Sequence, residues 1–432
     1  MPEIKKISNY RWTVCALLFF ASTINYLDRQ VIGILKPLLE SDLNIGEVAY
    51  ANIVTIFQVC YGLSMLLAGR LIDKFGTKIG YGISVLVWSI AAMGHALAKG
   101  VIGFGFWRAL LGVGESGNFP AANKTIAEWF PKKERANAFG IFNSGTNVGA
   151  IAAPLAVPAI IIAWGWQAAF IITGSIGFIW IILWFIFYEI PEKHRKISAG
   201  ELELIKSDLD EQNESEKSVP WVQLLKYRQT WLFFTGKALT DPIWWFYLFW
   251  IPGWLSTVRG AGLDIKSFGL PLVVIYSSTT VGSIFGGRLS SFMIKKGMSP
   301  FNARKYTMLI FAVLVIPVFF AQSAGISTWG AVALISLAAS SHQAWSANIF
   351  TTVSDAFPKR VVSSVTSIGG MAGAVGGAFV SVFAGHLLDF FKKAGHVETG
   401  YTVMFTIAAC TYILAWIIMN VFAPKVKQVI ID

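Results

Sequence analysis

Stretches of roughly 20 apolar residues recur along the whole 432-residue chain, each long enough to cross about 30 Å of hydrocarbon as a helix. In hydrocarbon every backbone N–H and C=O must find its partner within the protein, which leaves such a chain only α-helices or a closed β-barrel. A barrel would alternate apolar and polar residues over segments of about 10 residues, whereas the stretches here are continuous. Charged residues make up 14% of the chain, about half the usual soluble content, and the mean hydropathy is +0.60. No soluble core could bury so much apolar surface. The expectation is an all-α membrane protein of about twelve transmembrane helices.

The stretches place these helices at about 12–35, 49–72, 79–98, 101–125, 137–161 and 164–188, and again at about 230–257, 268–293, 304–323, 327–354, 361–388 and 400–423. Between the two sets of six lies one long polar segment, about residues 189–228, with no apolar run of spanning length. The expected organisation is a six-helix bundle over 1–188, a cytoplasmic linker over 189–228 and a second six-helix bundle over 229–432.

The net charge of +11 would suggest nucleic acid if it lay on one soluble face. Here Lys and Arg sit in short loops, where they set orientation, so no nucleic-acid partner is expected. Lys5, Lys6 and Arg11, then Arg70, Lys74 and Lys78, Lys132, Lys133 and Arg135, the linker, Lys295, Lys296, Arg304 and Lys305, and Lys359 with Arg360 fall on one side. That side is expected to be the cytoplasm, holding both termini. The opposite loops are short or mixed, as at Lys36, Glu40, Asp42 and Glu47, with Lys392 and Lys393 the exception. The first stretch runs too long for a cleaved signal peptide and contains Asp28 and Arg29, so it should stay as a membrane helix. Cys15, Cys60 and Cys410 lie inside apolar stretches without metal-ligand spacing, and neither metal nor cofactor is expected.

The halves echo one another. Trp129-Phe130-Pro131-Lys132-Lys133 after the fourth stretch matches Ala356-Phe357-Pro358-Lys359-Arg360 after the tenth, and Gly69-Arg70-Leu71 matches Gly287-Arg288-Leu289. In matching loops, these echoes indicate two pseudo-symmetric halves. Gly69-Arg70-Leu71-Ile72-Asp73-Lys74-Phe75-Gly76-Thr77-Lys78 fits G-x-x-x-D-[RK]-x-G-x-[RK] and resembles the signature loop of the major facilitator superfamily. Asn25-Tyr26-Leu27-Asp28-Arg29, Glu128-Trp129-Phe130-Pro131-Lys132-Lys133-Glu134-Arg135, Asp241-Pro242-Ile243-Trp244-Trp245-Phe246-Tyr247 and His342-Gln343-Ala344-Trp345 look like its anion:cation symporter branch. The last two look most like bacterial hexuronate transporters.

This resemblance spans the chain and implies the major facilitator fold, with no enzyme activity. It implies a proton-coupled inner-membrane importer of a small organic anion, such as galacturonate or glucuronate, working by alternating access as a monomer. Substrate, protons and lipid bilayer are the partners expected. Another sugar acid such as galactonate, or a non-transporting sensor on the same fold, are the alternatives. The family's loop carboxylate helps close the cytoplasmic side, a gating role that falls by resemblance on Asp73, within a loop shaped by Gly69 and Gly76. Ser291 stands at the matching position of the second half, which is expected to lack an equivalent gate.

Ionisable residues inside membrane helices are costly and so are candidates for function: Asp28, Arg29, Arg108, Glu115, Lys237, Asp241 and His342, with Asp355 near a helix end. Arg108 and Glu115 are two helical turns apart and share a face. A guanidinium offers a fixed fork of donors for a carboxylate, and a glutamate away from water can carry a proton. The resemblance implies the same division, with substrate binding by Arg108 and Arg29 and proton coupling by Glu115 and Asp28. A structural ion pair between helices is the alternative for each. Sugar hydroxyls call for amides, phenols and aromatic faces, and Tyr26, Tyr61, Asn147, His342, Gln343, Trp345 and Asn348 are the candidates. His342 reads equally as an interhelical hydrogen-bond partner. Lys237 and Asp241, at i and i+4, read as a self-contained pair beside a break made by Pro242. Gly112-Val113-Gly114-Glu115-Ser116-Gly117 matches G-x-G-x-x-G but follows no strand; with Gly369, Gly373 and Gly377 it is expected to permit close helix packing.

Overall fold

The computed structural model describes residues 8–206, 221–262, 265–323, 325–357, 359–422 and 429, and among them no strand occurs. The helices are α1 (Tyr10–Leu43), α2 (Glu47–Phe75), α3 (Thr77–Gly94), α4 (Val101–Glu115), α5 (Asn118–Trp129), α6 (Lys132–Trp164) and α7 (Trp166–Phe187). Two short helices follow, α8 (Ala199–Lys206) and α9 (Trp221–Leu224). The chain then continues through α10 (Arg228–Thr257), α11 (Leu270–Lys295), α12 (Pro300–Val315), α13 (Thr328–Ala356), α14 (Lys359–Lys393) and α15 (Val397–Phe422).

Each expected transmembrane segment is helical among its described residues, with local departures. The fourth, read as continuous, breaks at Ser116-Gly117 into α4 and α5. Here α3 and α4 approach so closely that a Cβ on Gly114 would lie 2.6 Å from the Trp88 nitrogen, and one on Gly117 2.1 Å from the Ser84 hydroxyl. The ninth gives way after Val315 to a 3-10 turn, Ile316–Gln322, at Pro317. Conversely Pro242 makes no break: α10 runs through both Pro242 and Pro252, as membrane helices do when neighbours absorb the lost bond.

Eight helices among the described residues are long and apolar enough to cross a membrane, within α2, α3, α6, α7, α11, α12, α14 and α15. The first, seventh and tenth expected segments, now α1, α10 and α13, are too polar to pass that measure, and the fourth is divided into α4 and α5, each too short for it. They carry Asp28, Arg29, Arg108, Glu115, Lys237, Asp241 and His342.

The chain divides into two compact units. Unit 1 comprises Met1–Val31, Cys60–Ala153 and Ala163–Ser218; unit 2 comprises Ile32–Val59, Pro154–Ile162 and Val219–Asp432. In unit 1, α3 packs on α4 and α7, and α6 lies against α1 where Gly145 and Gly149 leave room: an added Cβ would stand 2.3 Å from the carbonyls of Phe19 and Thr23. The start of the linker belongs to this unit. Glu201, fully buried, accepts from the backbone N–H groups of Tyr10 and Arg11 at 3.1 Å and pairs with the Arg11 guanidinium at 3.0 Å. A carboxylate there both satisfies the free donors of the α1 N-terminus and matches its dipole.

Unit 2 repeats the scheme. α12 packs on α13 and α15, and α14 lies on α10 where Gly369 meets Phe233, Gly373 meets Asp241, Gly376 meets the Ala238 carbonyl and Gly377 meets Trp245. The end of α1 and the start of α2 also belong here. Lys36 and Glu47 form a buried ion pair at 2.7 Å, Tyr50 donates to the Phe249 carbonyl at 2.9 Å, and Lys392 pairs with Glu40. Charges read as belonging to a mixed loop are therefore largely helical and paired.

Gly376→Ala should destabilise the protein by about 1–3 kcal/mol through overpacking against the Ala238 carbonyl. Gly370→Ala, whose Cβ meets nothing within 4 Å, should be neutral or gain up to about 1 kcal/mol of helix propensity. Thermal unfolding in detergent checks both; equal midpoints for the two variants would contradict the packing described.

Candidate functional site

Unit 1 gathers the ionisable residues of α1 and α4. Arg29 donates from Nη2 and Nε to Glu115 Oε2 at 2.6 and 2.9 Å, with both side chains at most 4% exposed. The guanidinium also lies over the rings of Tyr26 at 4.8 Å and Tyr61 at 5.0 Å, and Asn25 accepts from it at 3.5 Å. Cation–π contact of this kind holds the planar fork in place. Arg108, fully buried, donates to the Arg29 carbonyl at 3.5 Å, and Glu115 feels the charges of both arginines. Tyr26, Arg29, Tyr61, Arg108 and Glu115, proposed from the sequence, therefore converge.

Asp28 does not pair with its neighbour Arg29. It is 2% exposed, and neither carboxylate oxygen has a hydrogen-bond partner among the described residues. Glu115 and, from α7, Thr173 are the groups that face it. Consecutive helical residues point in different directions, so one arm of α1 meets α4 and the next meets α7. Asn147 on α6 is half-buried. His95, which the sequence reading left aside, is fully buried at the end of α3, with Nδ1 2.7 Å from the Ala91 carbonyl and its ring stacked on Phe170 at 4.9 Å.

The signature loop is short because α2 ends at Phe75 and α3 begins at Thr77. Gly76 joins them with φ +79°, a left-handed conformation that glycine adopts without strain. Thr77 donates to Glu128 at 2.7 Å, and Tyr188 donates to the same carboxylate at 2.5 Å. Lys78 bonds Glu189 at 2.8 Å and so holds that carboxyl below the usual carboxylate range. The backbone of Asp73 lies in the last turns of α2, its side chain outside the described residues; a Cβ on Gly69 would meet open space.

In unit 2, Lys237 and Asp241 pair at 2.7 Å within α10, as their spacing suggests, and Lys237 also lies 4.4 Å over Phe350. His342 is 2.7 Å from the Tyr412 hydroxyl through Nδ1 and stacks on Trp244 at 5.3 Å with only 2° between the planes. Trp345 is fully buried against Tyr412. Asn348 donates to the carbonyls of Gly286 and Ala344, at 3.0 and 2.8 Å, which clasps α13 to α11. Gln343 is half-buried. Trp244, Thr173 and Tyr412 were not named as site residues from the sequence. Their types are common packing residues, and only partners distant in the chain set them apart.

No group of three or more His, Cys, Asp or Glu able to hold a metal ion occurs among the described residues. The arrangement offers two guanidinium groups and two carboxyls inside one helical unit, suited to binding an anion and to exchanging a proton.

The family profile of the Major Facilitator Superfamily matches residues 18–381. A hexuronate transporter of Escherichia coli (strain K12) is 30% identical over 430 residues, 98% of this chain and 96% of that protein. A probable L-galactonate transporter of the same strain is 26% identical, over 89% of this chain and 84% of that protein. Among solved structures, a bacterial homologue of the human lysosomal transporter Spinster, in an inward-facing and unoccupied conformation, aligns with a TM-score of 0.77 at 18% identity, over 96% of this chain and 97% of that one.

Glu115→Ala would leave the buried Arg29 guanidinium without its carboxylate, and stability should fall by about 3–5 kcal/mol, the usual penalty for breaking a buried pair. Glu115→Gln, which keeps an acceptor, should lose less. Unfolding midpoints in detergent report this; an unchanged midpoint for Glu115→Ala would show that the pair contributes nothing to the fold.

Proposed function

The chain belongs to the major facilitator superfamily and is a multi-pass membrane transporter rather than an enzyme, and from that premise we propose that it is a proton-coupled importer of a hexuronate such as galacturonate or glucuronate. It works by alternating access in the cell inner membrane as a monomer, with both termini in the cytoplasm. The similarity to sugar-acid transporters supports the substrate class, and the positions of basic residues support the orientation.

The observation that carries the coupling is the charge balance inside unit 1. Arg29 and Arg108 bring two positive charges, and Glu115 and Asp28 two ionisable carboxyls, all at most 3% exposed. With both carboxyls ionised the set is neutral and has no net attraction for an anion. One bound proton leaves a single positive charge, which a uronate carboxylate neutralises. Protonation of Glu115 also weakens its hold on Arg29, freeing a fork of donors for the substrate. Tyr26, Tyr61 and Asn147 of unit 1 are then the candidates for the hydroxyls, and Gln343 remains a candidate from the sequence alone. Trp345 and Asn348 fit better as packing and clasp, since one is fully buried and the other bonded to backbone. Asp73, with Gly69 and Gly76, keeps the cytoplasmic gating role that the family resemblance suggests.

Arg108→Lys should abolish uptake into proteoliposomes although the charge is retained, because a point ammonium cannot form a bidentate pair with a carboxylate. An unchanged KM and rate would exclude Arg108 from the anion site.

Glu115→Gln, which imitates the protonated acid, should lose accumulation driven by a proton gradient while still exchanging internal for external substrate. Retained proton-driven accumulation would move the coupling elsewhere. Substrate binding without any flux in the unaltered protein would favour a sensor over a transporter.

A further inference from the structure

Trp244 lies on α10 one turn beyond Asp241, on the stripe that also carries Lys237. Farther along the helix, Trp250 and Trp254 are fully buried, whereas Trp244 keeps part of its surface open. One face of its indole is backed by His342, parallel to within 2° at 5.3 Å. The imidazole cannot turn away. Its Nδ1 is bonded to the Tyr412 hydroxyl at 2.7 Å, and Tyr412, itself fully buried, donates onward to the Thr240 carbonyl at 3.5 Å. Tyr276 stands nearly upright beside the same indole, at 76° and 6.5 Å. A side chain held flat by a stacked, tethered histidine and an upright ring loses little freedom when something lies on it.

A flat, rigid indole that keeps part of its surface open suits one kind of ligand surface. A pyranose ring presents several C–H bonds on one side and its hydroxyls around the edge, so it can lie on an aromatic face while the edge finds hydrogen bonds. An open-chain sugar acid also has hydroxyls and a carboxylate but no such face. Asp241, bonded to Lys237 at 2.7 Å and with its side chain 17% exposed, supplies an acceptor one turn away for an edge hydroxyl.

We propose that Trp244, backed by His342 and Tyr412, is the stacking platform for the ring of a cyclic sugar acid and makes unit 2 the part of the protein that distinguishes ring from open-chain substrates. This rests on the sugar-acid reading of the protein. His342 is then the backing plate of the platform, and its contact with substrate is indirect.

Half-saturation constants for galacturonate, and inhibition of its uptake by galactonate, are to be measured in proteoliposomes bearing the unaltered protein, Trp244→Phe or Trp244→Ala. Trp244→Ala should raise the galacturonate constant about tenfold and Trp244→Phe about two- to threefold, matching the strength of one aromatic stack. Galactonate inhibition should change less than about twofold, so that selectivity for the ring collapses. Saturation-transfer NMR on the detergent-solubilised protein gives a second reading that needs no open-chain ligand. Protons H3, H4 and H5 of bound galacturonate should receive the strongest transfer, and Trp244→Phe should diminish it. Equal losses for both sugar acids, or an unchanged galacturonate constant in both variants, would overturn the platform. Absence of both galacturonate and glucuronate uptake by the unaltered protein would instead overturn the hexuronate reading on which the platform rests.

Discussion

An ionised side chain inside hydrocarbon must be compensated within the protein, and most of what is particular to this chain follows from how that is done. Among the described residues, three ion pairs on the long helices carry much of the burden: Arg29 with Glu115, Lys36 with Glu47 and Lys237 with Asp241, at 2.6–2.7 Å. Each is closed within a single unit, so neither unit depends on the other to neutralise it. At such separations in a weakly polarisable interior the attraction is large, and the remaining cost is that of taking both groups from water. A pair of this kind is seldom the cheapest way to fill a core. Its persistence here points to work that an apolar core could not do.

The same constraint explains the rhythm of the helices. The first, seventh and tenth are too polar to count as spans by composition, the fourth is split into two helices each shorter than a span, and the eight that qualify are the others. Polar helices of this sort are tolerated only where apolar neighbours keep them from lipid. Close approach is what makes that shielding possible, and glycine provides it on corresponding helices of each unit: Gly145 and Gly149 of α6 against α1, Gly373, Gly376 and Gly377 of α14 against α10. Two units built by the same rule are the structural counterpart of the echo between Gly69-Arg70-Leu71 and Gly287-Arg288-Leu289.

Signals that live within one segment were legible in the sequence, and signals that need two segments were not. Apolar length located the helices, and the i,i+4 spacing of Lys237 and Asp241 announced their pair. The signature loop was legible because its glycine at 76 meets a backbone demand, a left-handed φ, that leaves a mark on residue type. Arg29 and Glu115 were each picked out as costly, yet nothing in the sequence says they touch, since 86 residues separate them. Lys36 and Glu47 were read as loop charges because α1 runs on to Leu43, farther than its apolar stretch. The break at Ser116-Gly117 was invisible for a similar reason, arising from the nearness of Trp88 and Ser84 on α3 and not from any strong helix breaker. Pro242 erred the other way: its rule holds in water, and neighbouring helices suspend it here.

The Arg29–Glu115 pair also bears on how two solutes can be coupled without a long relay. Under the proposed function, proton and anion act on the same guanidinium–carboxylate contact, one by discharging the carboxylate and the other by replacing it. Linkage then requires that whatever factor a bound proton adds to anion affinity, the bound anion adds to proton affinity. A tenfold factor corresponds to about 1.4 kcal/mol, well within what separates a charged from a neutral acceptor for a buried arginine. Arg108 enlarges that difference, because Glu115 lies in its field as well as in that of Arg29. Asp28 sits differently, facing Thr173 and Glu115 with no cation bonded to it. Its protonation changes the net charge of the site without rearranging the arginines. Under the proposed function the two acids are thus unequal: Glu115 would govern the geometry of the anion site, and Asp28 only its charge.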